Sequence, residues 1–478
     1  MSGNQPVSYW MPVTRALGWL SLLAVIACAP INNPEAVASF RHGLATGNFA
    51  AAAAVARPLA RPDAEGRPTE LQWTLNAGLS LFHQGDYPGA IAMFDAAETM
   101  MSARDTQTTN LGRVYRYGAY DAVMVNTYKA MAMLASGNPE GARVEFNRLD
   151  ERQQRAAQQF QAEIAASSAQ ADRQFSEDSS RQQAFNVAFQ TPDARAQTAQ
   201  LQQWAVYAPF QNPIATYLHG LYRLTSGVPS DREQALNYLR RVGGMTNNNR
   251  VIAGDLSMAE AAARGRPVPN TVWVVFENGQ SPMFEQLNIT FPAPVIGSGL
   301  RVTLRPITVS VPRMVAHPPA YDGIEVQAAS VRAPTQLVAS VEGIMASEFR
   351  QRWPGHVRDA VLEGVAKMIG VSAANAAAGA AARQVGGFGG LAIMLVSEAA
   401  TIAAANTTSS DTRSWHGLPR EFQVARVPLP ADRRVAVSVP NGPREVVEVP
   451  AGRSSIVLVK AQAPGSPLRV QVLPLGGG

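Results

Sequence analysis

The chain has 478 residues and one thiol, Cys28, which closes the stretch LSLLAVIAC at residues 20–28. Upstream stand one positive charge, Arg15, and twelve mostly apolar residues, Ala16 to Ala27, ending in small side chains. A run that short cannot cross a bilayer, which needs roughly 20 residues, and it has the form of a secretory signal. One cysteine excludes an intramolecular disulfide framework and a multi-cysteine zinc site. Other reactive groups show no pattern. The six histidines, His42, His83, His219, His317, His356 and His416, lie far apart, without HExxH or paired ligand spacing. GGFGGL, at residues 386–391, has glycines but neither the strand-to-helix context nor the lysine of a phosphate cradle. There is no G-x-S-x-G elbow. The expectation is no metal, no cofactor and no enzyme, with only a triad assembled from distant residues left open.

The four residues Val25-Ile26-Ala27-Cys28 resemble the bacterial lipobox. That resemblance implies acylation of the Cys28 thiol, cleavage before it, and a second acylation at the new N-terminus. Two or three acyl chains hold a membrane firmly where one holds it marginally. The alternative is an ordinary signal cleaved elsewhere, which discards the cysteine. Met11 gives a more usual start than Met1. Ala29 follows the cysteine in place of the aspartate that resembles an inner-membrane retention signal. The outer membrane, periplasmic face, is therefore the expected address. Residues 1–27 read as the signal and 28–35 as the lipidated tether.

Net charge is +5, from 41 Lys+Arg against 36 Asp+Glu, yet the basic residues are scattered. No basic block interleaves with aromatics, so nucleic acid is not an expected partner. The 46% hydrophobic and 16% charged shares describe a folded chain.

Helical periodicity runs over residues 36–266. Within LQWTLNAGLSLFHQGDYPGAIAMFDAAETM, residues Gly78, Gly85, Tyr87, Ala90, Phe94 and Ala97 match the tetratricopeptide (TPR) pattern, a helix–turn–helix repeat of about 34 residues. Small residues at 78 and 90 let two antiparallel helices approach, and Tyr87 and Phe94 fill the gap to the next. Weaker copies carry Gly47, Phe49 and Ala52; Gly137, Ala142 and Phe146; and Gly220, Ala235 and Leu239. Between the last two lies a Gln-, Ala- and charge-rich stretch, residues 151–185, expected as a long solvated helix. At Pro267 and Pro269 the character changes. Strands are expected at 271–276, 285–291, 300–311, 323–331, 421–427, 433–439, 444–449 and 454–461. A helical insertion at about 335–405 breaks at Pro354. It ends in the small-residue stretch 371–405, expected as a hairpin turning at Gly386-Gly387, with membrane insertion the sharper alternative. The fold class is thus α+β: an N-terminal α-solenoid of degenerate TPR-like repeats, then a β-rich domain over 271–478 carrying a small-residue helical hairpin.

The order lipobox, TPR-like helices, VVFENGQSP and DTRSWHGLP resembles a family of uncharacterised bacterial outer-membrane lipoproteins. Its landmarks fall here on Glu277, Asn278, Gly279 and Pro282, then on Arg413, Ser414, Trp415, Leu418 and Pro419. Both motifs have structural readings, a tight turn at Asn278-Gly279 and a loop anchored by Trp415. The functional alternative has Asp411, Arg413, Trp415 and His416 lining a glycan-binding surface. The resemblance points to cell-envelope work, and the tetratricopeptide-like repeat implies a helical array that presents a concave surface to a protein partner, so the expectation is an envelope scaffold. Gln72, Leu75, Leu79, Phe82 and His83 would line that surface, the alternative being that all five are buried contacts. Docking on a penicillin-binding protein to regulate wall synthesis is the first alternative. Contact with peptidoglycan, or glycan binding or processing, is the second.

Overall fold

A computed structural model describes residues 33–105, 115, 117–177, 179–208, 210–246, 249–296, 302–385 and 410–476. Cys28, the expected signal and the turn expected at Gly386-Gly387 lie outside the described residues. Among the described residues, eleven helices precede the first strand: α1 (Pro34–Ala45), α2 (Phe49–Leu59), α3 (Leu71–Gln84), α4 (Tyr87–Asp105), α5 (Ala119–Ala135), α6 (Pro139–Glu177), α7 (Ser179–Phe189), α8 (Pro192–Trp204), α9 (Pro213–Thr225), α10 (Asp231–Met245) and α11 (Arg250–Ala263). Several start on side-chain caps, Asn48 accepting from Ala51 N–H, Asn212 from Ala215 and Asn249 from Ile252. The pairs α1–α2, α3–α4, α5–α6 and α9–α10 pack as antiparallel hairpins. A Cβ on Gly78 would stand 2.8 Å from the Phe94 ring, so the small residue does set the approach of α3 to α4. Gly220 stands equally against Tyr238 and Leu239 in α9–α10. α6 is the long helix expected near 151–185, and most of its side chains between 154 and 176 face solvent.

Eleven strands follow among the described residues: β1 (Thr271–Asn278), β2 (Met283–Ile296), β3 (Val302–Val315), β4 (Glu325–Ala328), β5 (Val331–Pro334), β6 (Gln336–Ser340), β7 (Glu421–Pro428), β8 (Arg434–Ser438), β9 (Arg444–Glu448), β10 (Ser455–Ala461) and β11 (Arg469–Pro474). Helix α12 (Val341–Val385) is inserted between β6 and β7. One sheet has the order β11-β10-β1-β7-β6, a second β5-β4-β8-β9, and β2-β3 is a separate hairpin. The strand expected over 323–331 is in fact split, because Ala329 takes a positive φ of 51° and turns β4 back into β5. β6 and β11, for which no strand was expected, border the five-stranded sheet.

All eight residues of β1 are buried, since the strand is covered on both faces. Val272, Val274 and Phe276 pack against Val326, Val435 and Val437 of the four-stranded sheet. Trp273 and Val275 point the other way, into one continuous core with Leu75, Phe82, Tyr128 and Tyr217 of the helices. The helical array and the β-rich half therefore share a core. Helix α12 does not break at Pro354. The missing hydrogen bond and ring clash cost about 3 kcal/mol. Burial of Trp353, Val357 and Val361 on the same helix offsets that cost, and Trp353 Nε1–H donates to Thr198 at 2.9 Å.

Gly78→Val drives a branched side chain into Phe94. It is expected to lower the unfolding free energy by about 1–3 kcal/mol in urea titrations. An unchanged midpoint would show that α3 and α4 are not held at this distance.

Candidate functional site

Every residue of α3 from Leu71 to His83 is buried. The five side chains expected to line an open groove, Gln72, Leu75, Leu79, Phe82 and His83, are therefore not available to a partner. That expectation is corrected, because the chain's own segment 413–419 covers the start and middle of α3, while Glu277 and Gln471 of the sheet meet His83 and Phe82 at its end. Gln72 Nε2 donates to Ser414 O at 3.1 Å and lies 3.0 Å from His416 Nε2. Asn76 Oδ1 accepts from Gly417 N–H at 3.1 Å. A Cβ on Gly417 would meet Leu79 at 2.8 Å, so only glycine lets the segment lie this close to α3. Trp415, 1% exposed, sits among aromatic rings, 6.2 Å from Phe94 and 6.0 Å from Tyr128. Leu418 and Pro419 are buried beside it.

The other motif meets the same place from the sheet. Glu277, the penultimate residue of β1, has no solvent contact and faces the helices. Lys460 of the parallel neighbour β10 donates to Oε2 at 3.0 Å, His83 Nε2 lies 3.0 Å from Oε2, and Tyr128 OH donates to Oε1 at 2.8 Å. Burial would raise this carboxyl. Lys460 and His83 outweigh it and hold Glu277 at about 2. Burial pulls His83 and Lys460 below their ordinary values. Asn278 satisfies its whole amide, with Nδ2 donating to Tyr321 O and Glu421 and Oδ1 accepting from Ala320 and Tyr321 N–H. Gly279 follows with φ +72°, its Cβ position 3.2 Å from Arg420, Pro318 and Pro319, and Pro282 is buried after it. The two motifs thus converge with α3 in one dry knot. A second polar weld lies along β1. Asp255 of α11 accepts from Tyr217 OH at 2.6 Å, Trp273 Nε1–H at 3.1 Å and Arg426 at 2.8 Å.

The carboxylates at the centre of the two knots, Glu277 and Asp255, have no solvent contact, so neither can meet a ligand. Of the four residues placed on a possible glycan-binding surface, Trp415 and His416 are interior. Burial, with Arg41 and His317 nearby, pushes the His416 ring down to about 3. Asp411 and Arg413 differ. They lie at the edge of a cavity of about 310 Å3 between α6 and α12, floored by the start of α5 and by the β2–β3 hairpin. Arg413 donates to both Asp411 oxygens, at 2.8 and 2.7 Å. At the floor, Glu348 of α12 accepts from Ala119 and Tyr120 N–H, each at 2.9 Å. Beside it Asp121 accepts from Tyr115 OH and Gly118 N–H, each at 2.8 Å. The first turn of a helix favours carboxylates, but burial wins here, raising Asp121 to about 7 and Glu348 to about 8. Sequence reasoning missed Glu348, Asp121, Glu163 and Arg352, because single charged residues on helices carry no signal by spacing. Among the described residues no group of His, Cys, Asp and Glu could hold a metal ion. Nor is any described helix long and apolar enough to cross a membrane.

Comparison with known proteins finds no matching family model, curated protein or solved structure.

Glu277→Gln leaves Lys460 buried without its counter-charge and is expected to cost about 3–5 kcal/mol. Glu277→Gln combined with Lys460→Met should cost less than the two single changes added, which a double-mutant cycle reads directly. Additive costs would mean that the pair is not coupled. Asp121 supplies a pH test. Its folded value of about 7 lies above the ordinary value of about 3.9, so its stabilising contribution is complete below pH 4 and is lost as pH rises through 7. Asp121→Asn keeps an oxygen for Tyr115 and Gly118 and places its NH2 where Oδ1 has no partner. Thermal melts of the parent protein should fall more steeply between pH 5 and 8 than those of the variant. Parallel slopes would exclude Asp121 as the source.

Proposed function

We propose that the chain is a lipid-anchored cell-envelope protein whose work is binding, a scaffold held at the outer membrane through Cys28. The face it offers is the one around the cavity between α6 and α12, rather than the groove of the helical hairpins. The single observation that carries this reading is where Asp411 and Arg413 stand. Arg413 opens the segment that locks the helices to the sheet and Asp411 stands two residues before it, and both line a preformed cavity. A site built on rigid elements in this way is presented without rearrangement. The lipobox-like residues 25–28 and the family resemblance support the envelope address, and the hairpins packed through Gly78 and Gly220 support a TPR-like ancestry for the array.

Cys28→Ala should abolish acyl labelling and release the protein from the membrane fraction. Retention at the membrane with no label would contradict lipid anchoring. For the face itself, a photoreactive residue is placed in living cells at Glu163 or Asp359, both exposed at the cavity rim, or at Gln234, exposed on α10 outside it. A defined envelope adduct from the rim positions and none from Gln234 is expected. Equal capture from all three, or none from the rim, would contradict the reading.

A further inference from the structure

The geometry points to a saccharide site in the α6–α12 cavity, one that takes neutral, polyhydroxylated sugar rings. It rests on the reading of the chain as an envelope-binding protein and names the chemistry of what that face binds. The cavity, about 310 Å3, is at the lower end of the range for small-molecule sites, roughly 300–1,000 Å3.

One wall is a row of rings. Phe284 of β2 lies 4.8 Å from Phe349 of α12, and Phe349 lies 5.4 Å from the His356 ring two turns further along. The C–H face of a sugar ring packs on such a wall without stranding a polar group. The charges around the opening are already matched. Arg413 holds Asp411 through two hydrogen bonds, Arg358 lies 3.2 Å from Asp359, and Arg352 lies 3.8 Å from Glu163. Glu348 is raised by burial to about 8 and carries its proton at neutral pH. The rim is therefore close to neutral, three cations against three carboxylates.

An anion or a cation entering this space finds no unpaired counter-charge and would have to break a pair to gain one. A lipid chain would bury guanidinium and carboxyl groups against hydrocarbon, a loss that nothing offsets. Hydroxyls fit. Each is a donor and an acceptor at once, and planar guanidinium–carboxylate pairs present fixed donors and acceptors side by side.

The test is calorimetric titration of the full mature chain in detergent. The neutral probes are the tetramer of N-acetylglucosamine and cellotetraose. The charged probes are the deacetylated chitosan tetramer, a cation, and tetragalacturonate, an anion. Neutral probes are expected to bind with Kd of about 0.01–1 mM and charged ones about tenfold or more weakly than that. Asp411→Asn and His356→Ala should each weaken the neutral probes by about tenfold, with melting temperatures kept. Gln234→Ala should change nothing. Three results overturn the assignment in a natively folded protein. They are no heat from either neutral probe at about 10 mM, preference for a charged probe, or affinities unchanged in both cavity variants. If saccharides fail while rim cross-links still capture an envelope protein, the sugar assignment falls and the binding face stands. If both fail, the binding face falls with it.

Discussion

A carboxylate without solvent contact must find its partners inside the fold, and Glu277 recruits each from a different stretch of chain. Lys460 comes from a strand nearly two hundred residues downstream, His83 from α3 and Tyr128 from α5. Leaving such a group unpaired would cost several kcal/mol. The parallel register of β1 with β10 and the seating of two helices on the sheet are thus satisfied together or not at all. Asp255 repeats the arrangement further along the strand with Tyr217, Trp273 and Arg426. Between these two polar welds lies the apolar middle of β1, and around them the core common to helices and sheet.

That constraint redirects the functional question. Hairpins packed like those of the N-terminal half commonly leave a concave face for an extended segment. Here that face holds residues 413–419 of the same chain, through Gln72 and Asn76 to main-chain groups and through Trp415 in the aromatic nest. The segment is buried from Arg413 to Pro419. Arg413, at its start, and Asp411, two residues before it, line the cavity between α6 and α12.

Much of this was legible in the sequence. Gly78 opposite Phe94 encodes one hairpin, because a methyl group there has nowhere to go. The run Val-Trp-Val-Val-Phe of β1, apolar at consecutive positions, encodes a strand covered on both faces. The landmark residues 277–282 and 413–419 were legible as separate motifs, each with a structural reading. That they touch was not, since nothing in one segment states the register of another. The open groove was misread for the same reason: Gln72 and His83 on a helix look alike whether their partner is another protein or the chain's own sheet. The cavity left no trace, because Glu348 and Asp121 owe their perturbed protonation to burial, which tertiary packing creates. Pro354 misled through a sound local rule that packing of Trp353 and Val357 overrode.

Amide hydrogen exchange followed by mass spectrometry tests the account most directly, by comparing peptides over Leu71–Gln84, Thr271–Asn278 and Ser455–Ala461. If one buried network unites helices and sheet, the three should open together, with protection corresponding to a single global unfolding free energy. If the α3 peptide exchanged tens of times faster while the two strands stayed protected, the helices would be a separately folding unit. The claim that Glu277 and its partners weld the halves into one body would then be contradicted.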